Sequence, residues 1–114
     1  MNSRDYKDFL QDILDAINDI ESFIDNLSYT EFVKDRKTLN AVIRSIEVIG
    51  EATKNIPDRI KADYKDLPWK LMSGMRDKLI HGYFGVDTKT LYKAAKSDIP
   101  PLKASIQKIL KDQE

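Results

Sequence analysis

The chain has 114 residues, 41% hydrophobic and 33% charged, which predicts one globular domain over residues 1–114 rather than a disordered chain. It contains no cysteine and one histidine, His81, which excludes disulfides, cysteine nucleophiles and multi-histidine metal sites, so no metal or cofactor is predicted. Its net charge is zero, but residues 1–69 hold 10 basic and 14 acidic side chains (−4) and residues 70–114 hold 9 and 5 (+4). A polyanion should therefore prefer the C-terminal half.

Apolar residues recur every three or four positions, which predicts helices nearly throughout. The first helix is expected to start at a cap on Ser3 and to end near Asn26. A loop follows, and a second long helix, with a break near its start, is expected from about Thr30 or Asp35 to Asn55. A short turn at 58–64 and three helices at 69–81, 87–96 and 102–111 complete the chain. With no strand-like alternation, the predicted fold is all-α, an antiparallel bundle of four to five helices.

No run approaches the roughly 18 apolar residues of a membrane span, and no apolar signal segment follows Met1. The cytoplasm is therefore the expected compartment. The outer side of the first helix is acidic, with carboxylates at Asp8, Asp12, Asp15 and Asp19. A solvated face is the ordinary interpretation of such a stripe, and a docking face for a basic partner is the alternative.

Residues 75–87 carry the side chains best suited to chemistry, namely Arg76, His81 and Tyr83. A guanidinium is permanently charged and its planar fork matches a phosphate, while imidazole titrates near neutral pH. Together they are the minimum set for cleaving a phosphodiester without a metal, with imidazole moving a proton and arginine stabilising negative charge. The same residues also suit a structural role, in which His81 caps carbonyls and Arg76 pairs with Asp77 or Glu51.

The spacing of the two residues limits what one chain can do. Arg76 and His81 are five residues apart and so point about 140° from each other on a helix. One histidine cannot easily serve as both base and acid, whereas a symmetric dimer would bring two.

Residues 76–87, which read Arg-Asp-x-x-x-His-Gly-Tyr-Phe-Gly-Val-Asp, resemble the R-x4-H-x-Y motif of HEPN-domain proteins, most of all the HepT branch. Ile-Gly-Glu-Ala at 49–52 resembles part of that family's second long helix, and Leu-Pro-Trp at 67–69 resembles the opening of its motif helix. Because the three motifs occur in the family's order, the resemblance covers nearly the whole chain.

The resemblance implies a small all-α domain that dimerises through its motif-bearing helices, as a homodimer or a higher even oligomer. It implies a metal-independent endoribonuclease with Arg76 and His81 as the catalytic pair, leaving 2′,3′-cyclic phosphate and 5′-hydroxyl ends. Such proteins are toxins of toxin–antitoxin modules. Their antitoxin is an MntA-like minimal nucleotidyltransferase that can add AMP to the motif tyrosine, here Tyr83. Asp77 stands where the family often has asparagine, which adds a negative charge near the scissile phosphate.

Five further residues are candidates for supporting roles. Glu51 is expected either to support helix packing or to orient the catalytic arginine. Lys70 and Lys78 are candidates for contacts with the RNA backbone, against the commoner role of solvated surface lysines. Trp69 is expected to be a core anchor, and Phe84 is a candidate for stacking on a base.

Two other functions stay open at this point. One is a non-catalytic helical module that binds a nucleotide or the nucleotidyltransferase, in which Arg76 only holds phosphate. The charge of Asp77 and the zero net charge favour it, whereas the intact histidine and tyrosine favour the ribonuclease. The other is a purely structural dimeric bundle.

Overall fold

The computed structural model describes residues 4–81 and 87–114, and of residues 76 and 78–81 it describes the backbone alone. Within these ranges the chain forms seven α-helices and one π-helical turn, and no strand. The predicted all-α fold class is confirmed. None of the helices in this part of the chain combines the length and hydropathy of a membrane span. The elements are α1 (Tyr6–Ile24), α2 (Tyr29–Lys34), α3 (Arg36–Lys54), α4 (Asp58–Asp63), α5 (Trp69–His81), α6 (Thr88–Lys93), the π turn (Ala94–Asp98) and α7 (Leu102–Asp112).

The start of α1 differs from the prediction. Asp5 caps the helix, its carboxylate accepting from the N–H of Lys7 at 3.2 Å while its own N–H donates to the carboxylate of Asp8 at 3.0 Å. This reciprocal arrangement is a capping box, in which two otherwise unpaired N–H groups are satisfied together. The predicted cap at Ser3, which lies outside the described residues, is therefore wrong. Beyond the other end, Asn26 has a φ of 58°, a left-handed conformation that asparagine tolerates.

The predicted break near the start of the second long helix is confirmed at Asp35. This residue ends α2 and caps α3, accepting from the N–H of Thr38 at 3.0 Å and from its hydroxyl at 2.7 Å. Ser28 and Glu31 form a second capping box at the start of α2, so the loop predicted from Asn26 to Thr30 ends earlier, at Ser28. Hydrogen bonds from Ser28 lower the pKa of Glu31, and those from Thr38 lower the pKa of Asp35.

The core forms where α3 packs between α1 and α5, with α7 packed on the other side of α1. The apolar stripe of α1 is buried there together with that of α3. Burial of such side chains is the main favourable term in folding, about 25 cal/mol per Å² of apolar surface. The fully buried hydroxyl of Thr53 donates to the carbonyl of Ile49 at 2.6 Å, which satisfies it inside the helix. The buried aliphatic residues include Ile13, Ile17, Ile20, Val42, Ile46, Ile49, Ile60, Ile106 and Ile109.

The helix predicted to reach Lys96 ends earlier, at Lys93, and continues as the π turn. Leu91, Ala95 and Ile99 are all buried although they are spaced four residues apart. In an α-helix each such step turns the side chain by about 40°, which would carry the third residue away from the core. The wider turn, closed by the N–H of Ile99 on the carbonyl of Ala94 at 2.9 Å, keeps it inside.

Candidate active site

Helix α5 carries positions 76 and 81 of the motif, and its first turn is fixed from outside the helix. Trp69 is buried, and its indole N–H donates to the carbonyl of Tyr64 at 2.9 Å. Met72, one turn on, is fully buried, and the helix packs against α3. The prediction that Trp69 is a core anchor is confirmed, and the predicted helix over residues 69–81 is also confirmed.

Tyr64 joins this start of α5 to both ends of the chain. Its hydroxyl donates to the carboxylate of Asp112 at 2.9 Å and accepts from the amide of Gln113 at 3.4 Å. The carbonyl of the same amide accepts from the hydroxyl of Tyr6 at 2.7 Å. The donated amide hydrogen bond lowers the pKa of Tyr64, but burial and Asp112 outweigh it, so the pKa lies above its ordinary value. Sequence analysis missed this network because its members are far apart along the chain.

The helical register separates the two motif positions. Position 76 follows the buried Met72 by four residues, about 40° around the helix, and so falls on the side of α5 that packs against α3. Position 81 follows Gly74 by seven residues, about 20° around the helix, and falls on a different side. The side chains of Arg76, Lys78 and His81 lie outside the described part of the structure. The backbone of α5 thus places positions 76 and 81 on different sides of the helix, as predicted from their spacing.

No described residue covers the side of α5 around Gly74, which is called the open side below. Beyond the helix's own backbone, nothing in the described part of the chain lies within 4 Å of where a Cβ would stand at Gly74. Lys70 and Asp77 are exposed on the same side, and Leu71 beside them is 46% exposed. Because glycine has no side chain, Gly74 leaves a flat area beside the exposed Leu71. Position 81 lies on this same side of α5.

The two residues predicted to support the site lie at the surface. Asp77 is exposed, and its carboxylate makes no hydrogen bond or ion pair with a described residue. Glu51 lies on the exposed side of α3, the helix that packs against α5, and its carbonyl accepts from the side chain of Asn55 at 2.9 Å. The proposed modification site Tyr83 and the candidate stacking residue Phe84 lie outside the described residues.

Asp87, at the end of the motif segment, caps α6. Its carboxylate accepts from the N–H groups of Lys89 and Thr90, at 3.1 and 3.3 Å, and from the hydroxyl of Thr90 at 2.7 Å. The side-chain hydrogen bond from Thr90 is the main reason that the pKa of Asp87 lies below its usual range. Both ends of the motif segment thus join well-anchored helices.

Two surface grooves flank the bundle. A groove of about 450 Å³ lies between the α4–α5 connection and α7, and its lining includes Lys65, Lys108, Asp63 and Asp66. A smaller groove of about 210 Å³ lies between α1 and α3, in the acidic face. Among the described residues, no three histidine or carboxylate side chains lie close enough to share a metal ion.

Three of the four carboxylates of the acidic face have partners within the chain. Asp8 takes part in the capping box, Asp12 pairs with Arg4 at 2.9 Å, and Asp15 accepts from Gln11 at 2.9 Å. The hydrogen bond and charge of Asp12 raise the pKa of Arg4. Of these partners only Arg4 is a cation, so the face keeps most of its negative charge.

Comparison with known proteins adds three similarities. A family profile described as "Ribonuclease HepT-like" matches residues 13–109. "Probable ribonuclease HepT" of Thermococcus cleftensis is 50% identical over 108 residues, covering 95% of this chain and 98% of that protein. "Putative RNase MJ1216" of Methanocaldococcus jannaschii is 49% identical over 114 residues, covering 100% of this chain and 94% of that protein. No solved structure gives a significant match.

Proposed function

Because the chain belongs to the ribonuclease HepT-like family, we propose that it is an endoribonuclease that cleaves RNA without a metal ion. The observation that carries the proposal is the R-x4-H-x-Y motif, whose arginine and histidine positions lie on α5, in a chain similar over its full length to proteins with ribonuclease names. Arg76 and His81 are the proposed catalytic pair. The cytoplasm is the proposed compartment.

The proposed reaction is an internal transfer at phosphorus. The 2′-hydroxyl of a nucleotide attacks the adjacent phosphate and loses its proton to an imidazole acting as base. The bond to the 5′-oxygen breaks, and that oxygen takes up a proton from an acid. The products are a 2′,3′-cyclic phosphate and a 5′-hydroxyl. Arg76 stabilises the charge that develops on the phosphoryl oxygens, for which a fixed guanidinium is well suited.

A second copy of the chain is proposed to complete the site. Each chain has one histidine, and a symmetric dimer can form two equivalent sites, each with the arginine of one chain and the histidine of the other. The open side of α5, with Leu71 exposed and Gly74 bare, offers a surface on which two motif helices can meet. The position of His81 falls on this side. A homodimer, or a larger assembly built from such dimers, is the form in which the enzyme is proposed to act.

The proposed cellular role is that of a toxin whose antitoxin is an MntA-like minimal nucleotidyltransferase. That partner is proposed to transfer AMP from ATP to the hydroxyl of Tyr83, releasing pyrophosphate. The added phosphodiester would carry a negative charge two residues from His81, where it competes with RNA for Arg76. Incubating the chain with an MntA-like minimal nucleotidyltransferase and ATP should add the mass of one AMP, and a Tyr83→Phe variant that still gains this mass would contradict the assignment.

A non-catalytic module that binds a nucleotide or the transferase is the alternative function. The exposed carboxylate of Asp77 next to the motif arginine favours it, since a negative charge there opposes an approaching RNA phosphate. In that case the chain binds nucleotide or partner without turning over RNA.

The deciding experiment is a paired cleavage assay of the unsubstituted chain and the His81→Ala variant in EDTA, with analysis of the product ends. We expect cleavage by the unsubstituted chain alone, with cyclic phosphate ends and a rate loss in the variant of at least about a hundredfold. Circular dichroism checks that the variant keeps its helices. Equal cleavage by both proteins contradicts the assignment of His81, and cleavage by neither, with Tyr83 unmodified, favours the binding module.

A further inference from the structure

Three lysines lie along the outer side of the segment that follows the motif. Lys89 and Lys93 are in α6 and Lys96 is in the π turn, and all three are exposed. Their spacing of four and three residues places them on one side of a helix. We propose that this lysine stripe (Lys89, Lys93 and Lys96) binds the phosphate backbone of single-stranded RNA beside the cleavage site, an inference that rests on the proposed ribonuclease function.

The inner side of α6 is held tightly, which fixes the direction in which the stripe faces. Leu91 is buried in the core. The hydroxyl of Tyr92 donates to the carbonyl of Leu27 at 2.6 Å, and the hydroxyls of Tyr29 and Thr88 are 2.8 Å apart. The rings of Tyr29 and Tyr92 also meet edge to face, with centroids 5.6 Å apart. Because these contacts prevent α6 from turning, the lysines stay on the solvent side.

The stripe begins directly after the motif. Asp87 is the last residue of the motif segment and the cap of α6, and Lys89 donates its backbone N–H to that cap. Six residue steps separate His81 from Asp87, so the start of the stripe lies at most about 20 Å along the chain from the motif helix. An RNA strand seated at the motif therefore reaches the stripe within a few nucleotides.

The charges around the stripe leave two of its ammonium groups available. The Nζ of Lys93 pairs with Asp98 at 3.1 Å, an exposed contact that a phosphate can replace at little cost. Lys89 and Lys96 form no ion pair with any residue that the structure describes. Asp87 directs its carboxylate to the start of α6. The stripe thus offers up to three cations to successive phosphates.

Lysine is suited to this task because its ammonium is a point charge that does not distinguish one base from another. The chain as a whole carries no net charge, so attraction to RNA must come from a local concentration of cations. The excess of +4 in residues 70–114 is consistent with such a local site. The stripe would therefore strengthen RNA binding without selecting a sequence.

The test measures binding of a fluorescein-labelled single-stranded oligoribonucleotide by anisotropy over a range of KCl concentrations. The full-length His81→Ala chain is used so that the RNA stays intact, with and without Lys89→Gln, Lys93→Gln and Lys96→Gln. Each phosphate contact contributes about −0.7 to the slope of log K against log [salt], so the triple variant should lose about 2 from its magnitude. At low salt its affinity should fall by about tenfold or more.

A matched control replaces three lysines of α7, Lys103→Gln, Lys108→Gln and Lys111→Gln. It removes the same charge, and it too contains one ion-paired lysine, Lys103 on Glu21 at 3.2 Å. An unchanged slope in the stripe variant, or an equal loss in the control, overturns the proposal. So does a loss of binding that follows a change in oligomeric state measured by light scattering, because the stripe would then contact an acidic face of another protein chain.

The stripe and the ribonuclease function fail in different ways. In the otherwise unsubstituted chain, the stripe variant should raise KM for RNA by about tenfold while kcat changes little. Cleavage with an unchanged KM overturns the stripe alone. An unsubstituted chain that binds RNA through the stripe but never cleaves it overturns the ribonuclease function alone, and a chain that binds no RNA overturns the stripe.

Discussion

At the residue scale, Asp77 is the feature of the motif most open to test. Its exposed carboxylate follows the motif arginine and makes no hydrogen bond with a described residue. A negative charge at this place repels an RNA phosphate, and two surface charges a few ångströms apart interact by about 1 kcal/mol or more. The other interpretation is that the carboxylate orients Arg76, in which case its loss would slow the reaction.

We expect Asp77→Asn to raise kcat/KM for RNA cleavage by about threefold, because it removes charge repulsion and keeps a polar side chain. The matched control is Asp66→Asn, which removes an equally exposed carboxylate just before α5. Initial rates over a range of RNA concentrations measure the effect. A fall in kcat for Asp77→Asn, with the control unchanged, would instead assign Asp77 to positioning the arginine.

Asp87 provides a pH-dependent prediction, also at the residue scale. Hydrogen bonds from Thr90 and Lys89 lower its pKa in the folded protein. A group whose pKa is lower when folded stabilises the fold above its unfolded pKa, about 3.9 for aspartate, and this stabilisation is lost as the pH falls through the folded value. Asp87→Ala should therefore lower the Tm by about 5 °C at pH 7, and by progressively less below pH 4.

Thermal unfolding followed by circular dichroism at pH 7 and pH 3 measures this difference. Asp66→Ala is the control, since its exposed carboxylate makes no hydrogen bond with a described residue and caps no helix. Its Tm should stay within about 1 °C of the parent at both pH values. If Asp87→Ala lowers the Tm by the same amount at both pH values, the ionised carboxylate is not what stabilises α6.

At the scale of elements, apolar periodicity predicted the long helices well. The stripes of α1 and α3 became the core, and the start of α5 at Trp69 followed from the proline before it. The errors came from features that periodicity does not encode. The capping residue of α1 was misplaced because several polar residues near the start of the chain can cap, and only the reciprocal bonding with Asp8 selects Asp5. The π turn depends on the need to bury Ile99, a tertiary requirement.

The candidate site could also be predicted only in part, because local patterns are visible in the sequence and long-range contacts are not. The motif and its place at the end of a helix could be read from the sequence, and α5 does end at His81. The contacts that hold α5 and α6 in place could not be predicted from the sequence, because they join residues that are far apart along the chain. Tyr64 bonds to Asp112, and Tyr92 bonds to Leu27 across 65 positions of sequence. Such pairs depend on how the helices pack, which no local pattern specifies.

At the scale of the whole molecule, the two motif positions lie on different sides of α5. Position 76 falls on the side packed against α3, and position 81 falls on the open side. A twofold axis near the open side would bring the histidine of one protomer toward the motif of its partner. The proposed dimer then joins an arginine of one chain and a histidine of the other at each of two sites.

Mixing two inactive variants tests this composite arrangement. Arg76→Ala and His81→Ala each lack one member of the pair, and refolding them together in equal amounts should make half of the dimers mixed. A mixed dimer holds one complete site and one site with neither residue, so the mixture should recover about a quarter of the normal activity. Leu71→Glu in both chains should prevent the recovery by charging the open side of α5, whereas Val33→Glu, at a similarly exposed residue of α2, should not. Mixed dimers that form but stay inactive would mean that each protomer uses its own arginine with its own histidine, and α5 would then have to bring positions 76 and 81 together within one chain.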